Sequence, residues 1–235
     1  MFYPLVTIGL GPILITQGRR VRRDTARLPE PPGERNGVAG NGTPLRLLIV
    51  GDSAAAGVGA GHQDEALAGQ LVAALCEHHT VDWRLIATTG HTLADVLDAL
   101  EQTDAESFDV VVTSIGANDA TAGTRLKIWN AQQTQLMLLL REKFSAAHIL
   151  FSAVPPMQYF PALPQPLRWY MGLRAQRLNR AIAAQLHNIP HAELVTADFP
   201  LDTGYMASDG FHPGPQAYAT WAAQVARVIG KRLRP

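Results

Sequence analysis

Ser53 stands just behind Gly51-Asp52, at the end of the continuous apolar run Leu45–Val50. A strand that stops at a glycine can turn tightly and present a hydroxyl at the top of a sheet. A serine hydroxyl is a weak nucleophile until a base takes its proton. The base on offer is His212, within Asp209-Gly210-Phe211-His212-Pro213. Pro213 confines His212 to extended backbone, which helps to fix the ring, and Asp209, three residues earlier, is near enough to orient it and to stabilise its protonated form. Nucleophile, base and orienting carboxylate are the parts that acyl transfer needs. That reaction also builds negative charge on a former carbonyl oxygen, so donors must point at it. The Asn118 side-chain amide, the backbone N–H at Gly90 and the Ser53 N–H are the candidates for this oxyanion hole. Each feature alone has a plainer role. Ser53 suits a helix N-cap, Asn118 a turn, Gly90 a turn before a Thr92 cap, and Asp209–His212 a turn with an exposed histidine.

The elements that would position these residues alternate regularly. Leu45–Val50, Trp83–Ala87, Val110–Ile115, Ile149–Val154 and the weaker Ala192–Val195 read as strands. Apolar stripes at helical spacing fall between them: Leu67, Leu71, Val72 and Leu75; Leu93, Val96, Leu97 and Leu100; Arg125–Phe144; Leu167–Leu186; and a last helix through Tyr218, Trp221, Ala222, Val225 and Ile229. Strands alternating with helices predict parallel βαβ units with helices on both faces. The expected fold is a three-layer α/β/α flavodoxin-like sandwich with a five-stranded parallel sheet in the order 2-1-3-4-5. Ligands bind such sheets beyond the carboxyl ends of the strands, where the strand order reverses. That places Gly51-Asp52-Ser53 and Gly116-Ala117-Asn118-Asp119 at the centre of attention.

Four features at four strand ends, in an order that lets them converge, are similar to the motifs of the SGNH (GDSL-type) hydrolase superfamily. The resemblance rests on Gly51-Asp52-Ser53, Gly90, Gly116-Ala117-Asn118-Asp119 and Asp209-Gly210-Phe211-His212-Pro213, and covers all but the first 44 residues. It implies that Ser53 is the nucleophile, that His212 is general base and then general acid, that Asp209 is its partner, and that Gly90 and Asn118 share the oxyanion hole with the Ser53 N–H. Ala54 stands where the family name has leucine, a packing position. Thr88-Thr89-Gly90-His91-Thr92 departs from the pattern in lacking the asparagine that many relatives carry before the glycine. Asp52 and Asp119 read as supports for the turns.

Composition sets the remaining bounds. The chain has 235 residues and zero formal net charge, which suits one α/β domain and gives no basic face for nucleic acid. The one cysteine, Cys76, forms no internal disulfide and reads as a structural thiol, so no oxidising compartment is needed. No phosphate-binding loop or dinucleotide fingerprint occurs, and His78-His79 and His187…His191 lack the neighbours of a metal site. The proposed chemistry asks for no cofactor and no metal. Residues 1–44 read as an N-terminal arm and linker, and 45–235 as the catalytic domain. Met1–Thr16 is apolar but interrupted by Pro4, Gly9, Gly11 and Pro12, is shorter than a span of roughly 20 residues, and lacks the marks of a secretory signal. Arg19, Arg20, Arg22, Arg23 and Arg27 follow it. The arm either packs on the domain or rests on an anionic membrane surface, with a cytoplasmic location expected in the first case. Residues Leu28–Pro44 have no hydrophobic period and read as a linker.

Pro155–Met171 reads either as an apolar wall or lid for an acyl chain, through Tyr159, Phe160 and Trp169, or as residues that pack the start of the following helix. The favoured function is hydrolysis of short-chain or aryl carboxylic esters through an acyl-serine intermediate. Lysophospholipid or thioester hydrolysis, or acyl transfer to another acceptor, would use the same site. A flavodoxin-like module that only binds a ligand is the reading of a different class, disfavoured because it leaves Asp209 and His212 without a task. Small-molecule or lipid esters are the expected partners, and the oligomeric state stays open.

Overall fold

The computed structural model describes residues 2–197 and 204–233; Met1, at the head of the apolar arm, lies outside them. In chain order the elements are α1 (Phe2–Asp24), β1 (Asn36–Ala39), β2 (Thr43–Gly51), α2 (Ser53–Ala56), α3 (Leu67–Leu75), β3 (His79–Ala87), α4 (Leu93–Gln102), β4 (Val110–Ser114), α5 (Ala117–Ala122), α6 (Leu126–Glu142), β5 (His148–Ser152), α7 (Leu167–Leu186), β6 (Ala192–Val195) and α8 (Pro215–Arg232), with short 3₁₀ turns at Gln63–Glu65 and Met157–Tyr159.

The sheet has six strands in the order β1-β3-β2-β4-β5-β6. Its five parallel strands run in the order expected from the sequence. The sixth, β1, corrects the five-stranded expectation: it lies antiparallel on the outer edge of β3, pairing Asn36 with Arg84 and Ala39 with Val81. It comes from the stretch that reads as a linker. An edge strand with one neighbour has little to bury, so it carries no apolar run. Its residues alternate between exposed and half-buried, and backbone pairing holds it, including Leu85 N–H donating to the Arg35 carbonyl at 2.7 Å.

Strand pleating divides the apolar residues between two cores. From β2, Leu45, Leu47 and Ile49 point to one side and pack with Leu67 and Leu71 of α3 and Tyr218 and Val225 of α8. Leu48 and Val50 point the other way, to Leu93 and Leu97 of α4, Trp129 and Leu136 of α6, and Leu178 and Ile182 of α7. This is the three-layer sandwich, and it buries β4 and β5 completely. β3 starts earlier than its apolar core suggests, because Asp82 and Arg84 alternate with buried Val81, Trp83 and Leu85 and so leave only one face of its first half apolar.

The apolar arm is a helix, which its Pro12 and its glycines at 9, 11 and 18 obscure in the sequence. Glycine in a helix interior costs about 1 kcal/mol relative to alanine, and an interior proline removes a backbone hydrogen bond. Tertiary contact supplies what propensity lacks. Leu14 is buried, the Thr7 and Tyr170 hydroxyls hydrogen-bond at 3.1 Å, Gln17 Nε2 donates to the Gln165 carbonyl at 2.7 Å, and Gln17 Oε1 accepts from Leu167 N–H. Among the described residues, no helix is long and apolar enough to cross a membrane.

Candidate active site

The carboxyl ends of β2, β3 and β4 open onto one edge of the sheet, and the sequence-predicted residues gather there. After β2, Asp52 rather than Ser53 is the helix cap: its Oδ1 accepts from Ala54 N–H at 3.1 Å. Ser53 is therefore the first residue of α2, where a backbone N–H has no intrahelical acceptor. Asp52 N–H donates to the Ser114 carbonyl at 3.0 Å, which ties the end of β2 to that of β4.

His212 reaches Ser53 from the turn before α8. Its Nε2 lies 3.0 Å from Ser53 Oγ, and its Nδ1 lies 2.6 Å from Asp209 Oδ2. The other oxygen of Asp209 accepts from the backbone N–H groups of Phe211, at 2.9 Å, and His212, at 3.0 Å. Burial alone would raise the Asp209 pKa, but these bonds from the ring and the two amides outweigh it and hold the carboxyl below its ordinary value. An ionised carboxylate can only accept, so Nδ1 carries a proton, and in a neutral ring Nε2 is then the acceptor that faces the Ser53 hydroxyl. The turn is closed by Ala207 N–H donating to the His212 carbonyl at 2.8 Å. Gly59 lets the chain after α2 abut it: a β-carbon there would sit 2.2 Å from the Pro213 carbonyl oxygen.

The two side-chain supports foreseen from the sequence are buried. Asp119 accepts from Leu93 N–H at 2.9 Å and from the Thr124 hydroxyl at 2.9 Å, joining the start of α5 to that of α4. Burial raises its pKa. Burial also pushes the Asp52 carboxyl up to about 7, against the pull of the Ala54 amide and of His212. Asn118 and the Gly90 loop are in contact: Asn118 Nδ2 donates to the His91 carbonyl at 2.9 Å. That uses one of the two amide hydrogens and leaves the other to donate elsewhere. Gly90 has φ +88° and open space beside its α-carbon, so a side chain would strain the backbone there without filling any packing gap.

A cavity of about 220 Å³ runs from Ser53 and His212 into the protein, walled by Ile115, Val154, Phe160, Ala175, Met206 and Trp221 among others. Of the three residues expected to hold substrate, only Phe160 lines it. Tyr159 and Trp169 are 59% and 43% exposed and face away from it, because Leu167, Tyr170 and Met171 take the buried stripe of α7 and leave Trp169 on the opposite side.

Four residues escape the sequence reading. Phe211 packs edge-on against Phe160, ring centroids 5.1 Å apart, and beside His212 at 5.4 Å; an aromatic inside the Asp-x-x-His turn is its only signal. Asn179 on α7 accepts from Val154 N–H and donates to the Val154 carbonyl, both at 2.8 Å. It thereby satisfies the end of β5, where the next residues, Pro155 and Pro156, have no N–H to offer. Glu30 and Arg35, in the stretch that reads as a linker, pair at 2.8 Å. Glu30 accepts from Thr89 N–H at 2.7 Å and from its hydroxyl at 2.8 Å, and Arg35 donates to the Ala87 carbonyl. Together they pin the loop that carries Gly90.

A mainly parallel sheet whose carboxyl edge gathers a serine, a histidine and an aspartate is the hydrolase-type architecture that the motifs resemble. The chain belongs to the GDSL-like lipase/acylhydrolase family, whose model matches residues 49–220. A GDSL-like esterase from Mycobacterium tuberculosis (strain ATCC 25618 / H37Rv) is 30% identical over 186 residues, or 74% of this chain and 58% of that protein. The chain thus spans less than two thirds of that curated relative. Among solved structures, a lipase/acylhydrolase from Enterococcus faecalis aligns with TM-score 0.56 at 21% identity, over 81% of this chain and 98% of the other. A carbohydrate esterase family 2 enzyme with a carbohydrate binding domain, from Corynascus thermopiles (Myceliophthora fergusii), aligns with TM-score 0.59 at 16% identity, over 89% and 68%. At these identities the likeness is one of fold.

Proposed function

We propose that this protein hydrolyses carboxylic esters through an acyl-serine intermediate, with residues 45–235 as the catalytic domain and 1–44 as its arm. The observation that carries the reading is the continuous chain of contacts from Ser53 Oγ through His212 to Asp209, at 3.0 and 2.6 Å. In the first half-reaction His212 Nε2 takes the Ser53 proton as Oγ attacks the carbonyl carbon. The oxyanion that forms is held by the Ser53 and Gly90 N–H groups and by the Asn118 amide. Collapse expels the alcohol, which receives the proton from His212. Water, activated by the same nitrogen, then releases the acid and restores Ser53. Asp209 stays ionised throughout, fixes the tautomer and offsets the charge of the imidazolium.

The esters favoured are short-chain or aryl esters. The cavity beside Ser53 is mainly apolar and, at about 220 Å³, falls below the roughly 300–1,000 Å³ of sites that enclose larger ligands. The description of the mycobacterial relative as an esterase supports the reaction class, while the named structural neighbours range from lipases to a carbohydrate esterase and leave the substrate to experiment. Thioesters, lysophospholipids and transfer to acceptors other than water would call on the same groups, and product analysis with added alcohols separates transfer from hydrolysis.

The test is turnover of p-nitrophenyl esters from acetate to palmitate by the wild type and Ser53→Ala. The expected result is hydrolysis that declines with chain length and falls by a factor on the order of 10⁶ in the variant. Retention of wild-type turnover by Ser53→Ala would refute the assignment.

A further inference from the structure

A second cavity, of about 570 Å³, lies between α1 and α7, within the size range of small-molecule sites. Its walls are mainly apolar, with Leu14 from α1 and Leu163, Leu167 and Met171 from the α7 side. Two glycines of α1, Gly11 and Gly18, line it as well, and a β-carbon added at either would meet no atom within 4 Å. Glycine is among the least favourable residues for a helix interior. Neither position has a left-handed backbone or a close neighbour that demands it. The two glycines therefore preserve a space that no described residue fills.

The charged border of the same cavity is formed by Arg19 and Arg22. The alternate arginines of this helix end, Arg20 and Arg23, pair with Asp24 at 3.4 and 2.7 Å. Arg19 and Arg22 have no carboxylate partner among the described residues. Two guanidinium groups one helical turn apart, at the mouth of an apolar chamber, match a ligand with a hydrocarbon tail and an anionic head, because the planar fork of arginine binds carboxylate or phosphate oxygens in pairs.

We propose that the chamber between α1 and α7 binds a single-chain amphiphile with an anionic head group, the tail lying against Gly11, Leu14, Gly18 and Met171 and the head at Arg19 and Arg22. The site is separate from Ser53 and does not depend on the ester-hydrolase reading. It touches the other cavity at one residue, Phe211, which lines both.

Isothermal titration of the full chain with decanoate, decyl phosphate and decanol, all below their aggregation concentrations, tests this directly. Saturable binding of one decanoate or decyl phosphate per chain is expected, with decanol at least about tenfold weaker for want of a charge-assisted bond. Gly18→Leu should weaken binding by about tenfold or more while keeping or raising the unfolding midpoint, since leucine is the better helix former. Arg19→Gln with Arg22→Gln should bring decanoate down to the level of decanol. Ser53→Ala should bind as the wild type does, which keeps failure of this site distinct from failure of the hydrolase reading. The proposal falls if no monomeric amphiphile binds, if decanol binds as tightly as decanoate, if Gly18→Leu binds like the wild type, or if binding appears only with anionic vesicles.

Discussion

The cavity beside Ser53 and the cavity beneath α1 share one wall residue, Phe211, and differ in almost everything else. The first is small, lies at the carboxyl edge of the sheet, and is lined or backed by groups locked in hydrogen bonds: Asn179, in its wall, clamps the end of β5, while behind the wall Asp209 takes three and Asp119 takes two from neighbouring turns. The second is more than twice as large, lies against a helix rich in glycine, and has at its mouth two arginines with no carboxylate partner among the described residues. Groups that must act on a reacting atom need fixed geometry, and strand ends held by buried hydrogen bonds supply it. A chamber walled by an added helix needs only room and charge.

If that contrast is correct, changes around the first cavity should alter rate and those around the second should alter binding. The largest effect after loss of Ser53 is expected from Asp209→Asn. Asparagine can still accept from the Phe211 and His212 amides, but it no longer fixes the histidine tautomer, so turnover of p-nitrophenyl acetate should fall by a factor on the order of 10⁴ with the fold intact by circular dichroism. Asn118→Ala should cost about 10²–10³ in kcat with a much smaller change in KM, the mark of an interaction made in the transition state; an unchanged kcat would remove Asn118 from the oxyanion hole. Ala153→Leu, in the wall of the small cavity, should lower hydrolysis of butyrate relative to acetate esters by about tenfold or more. An unchanged ratio would place the acyl group elsewhere.

A further effect falls on stability rather than on rate. Asp52 is neutral in the folded chain up to about pH 7, whereas an unfolded aspartate ionises near 3.9. A group with a raised folded pKa contributes stability that is fully present below the unfolded value and is lost as pH rises through the folded one. At about 1.4 kcal/mol per pH unit, the cost of ionising it approaches about 4 kcal/mol above pH 7. Asp52→Asn keeps the cap without the charge. Its unfolding midpoint should therefore gain on that of the wild type between pH 4 and 7, by an amount on the order of 10 °C for a chain of this size. Parallel pH profiles for the two proteins would show that Asp52 is charged when folded.

How much of this is legible in the sequence differs between the two regions for a physical reason. The parallel sheet and its order follow from Leu45–Val50, Val110–Ile115 and the helical stripes between them, because each element buries its own side chains and so advertises its period. Ser53, His212, Asp209 and Asn118 are visible because their types are unusual at strand ends. Glu30 and Arg35 are not, since nothing in a Pro- and Gly-rich stretch says which distant backbone its charges will meet. The wall expected from Pro155–Met171 is legible only in part: aromatic content marks Phe160, Tyr159 and Trp169 alike, and only the helix phase of α7 and the turn before it separate the one that lines the cavity. The arm is least legible of all, because glycine and proline argue against a helix that is held by contact with α7.

The short strand β1 has a consequence for how the chain can be cut. Without Asn36–Ala39, β3 would present the unpaired amides and carbonyls of a nine-residue strand to solvent, and an open edge of that length is a template for joining one molecule to the next. A chain begun at Pro44 would retain Ser53, Asp209 and His212 but would offer its neighbours a strand to continue, so its first failure should be self-association, visible as light scattering before any loss of helix signal.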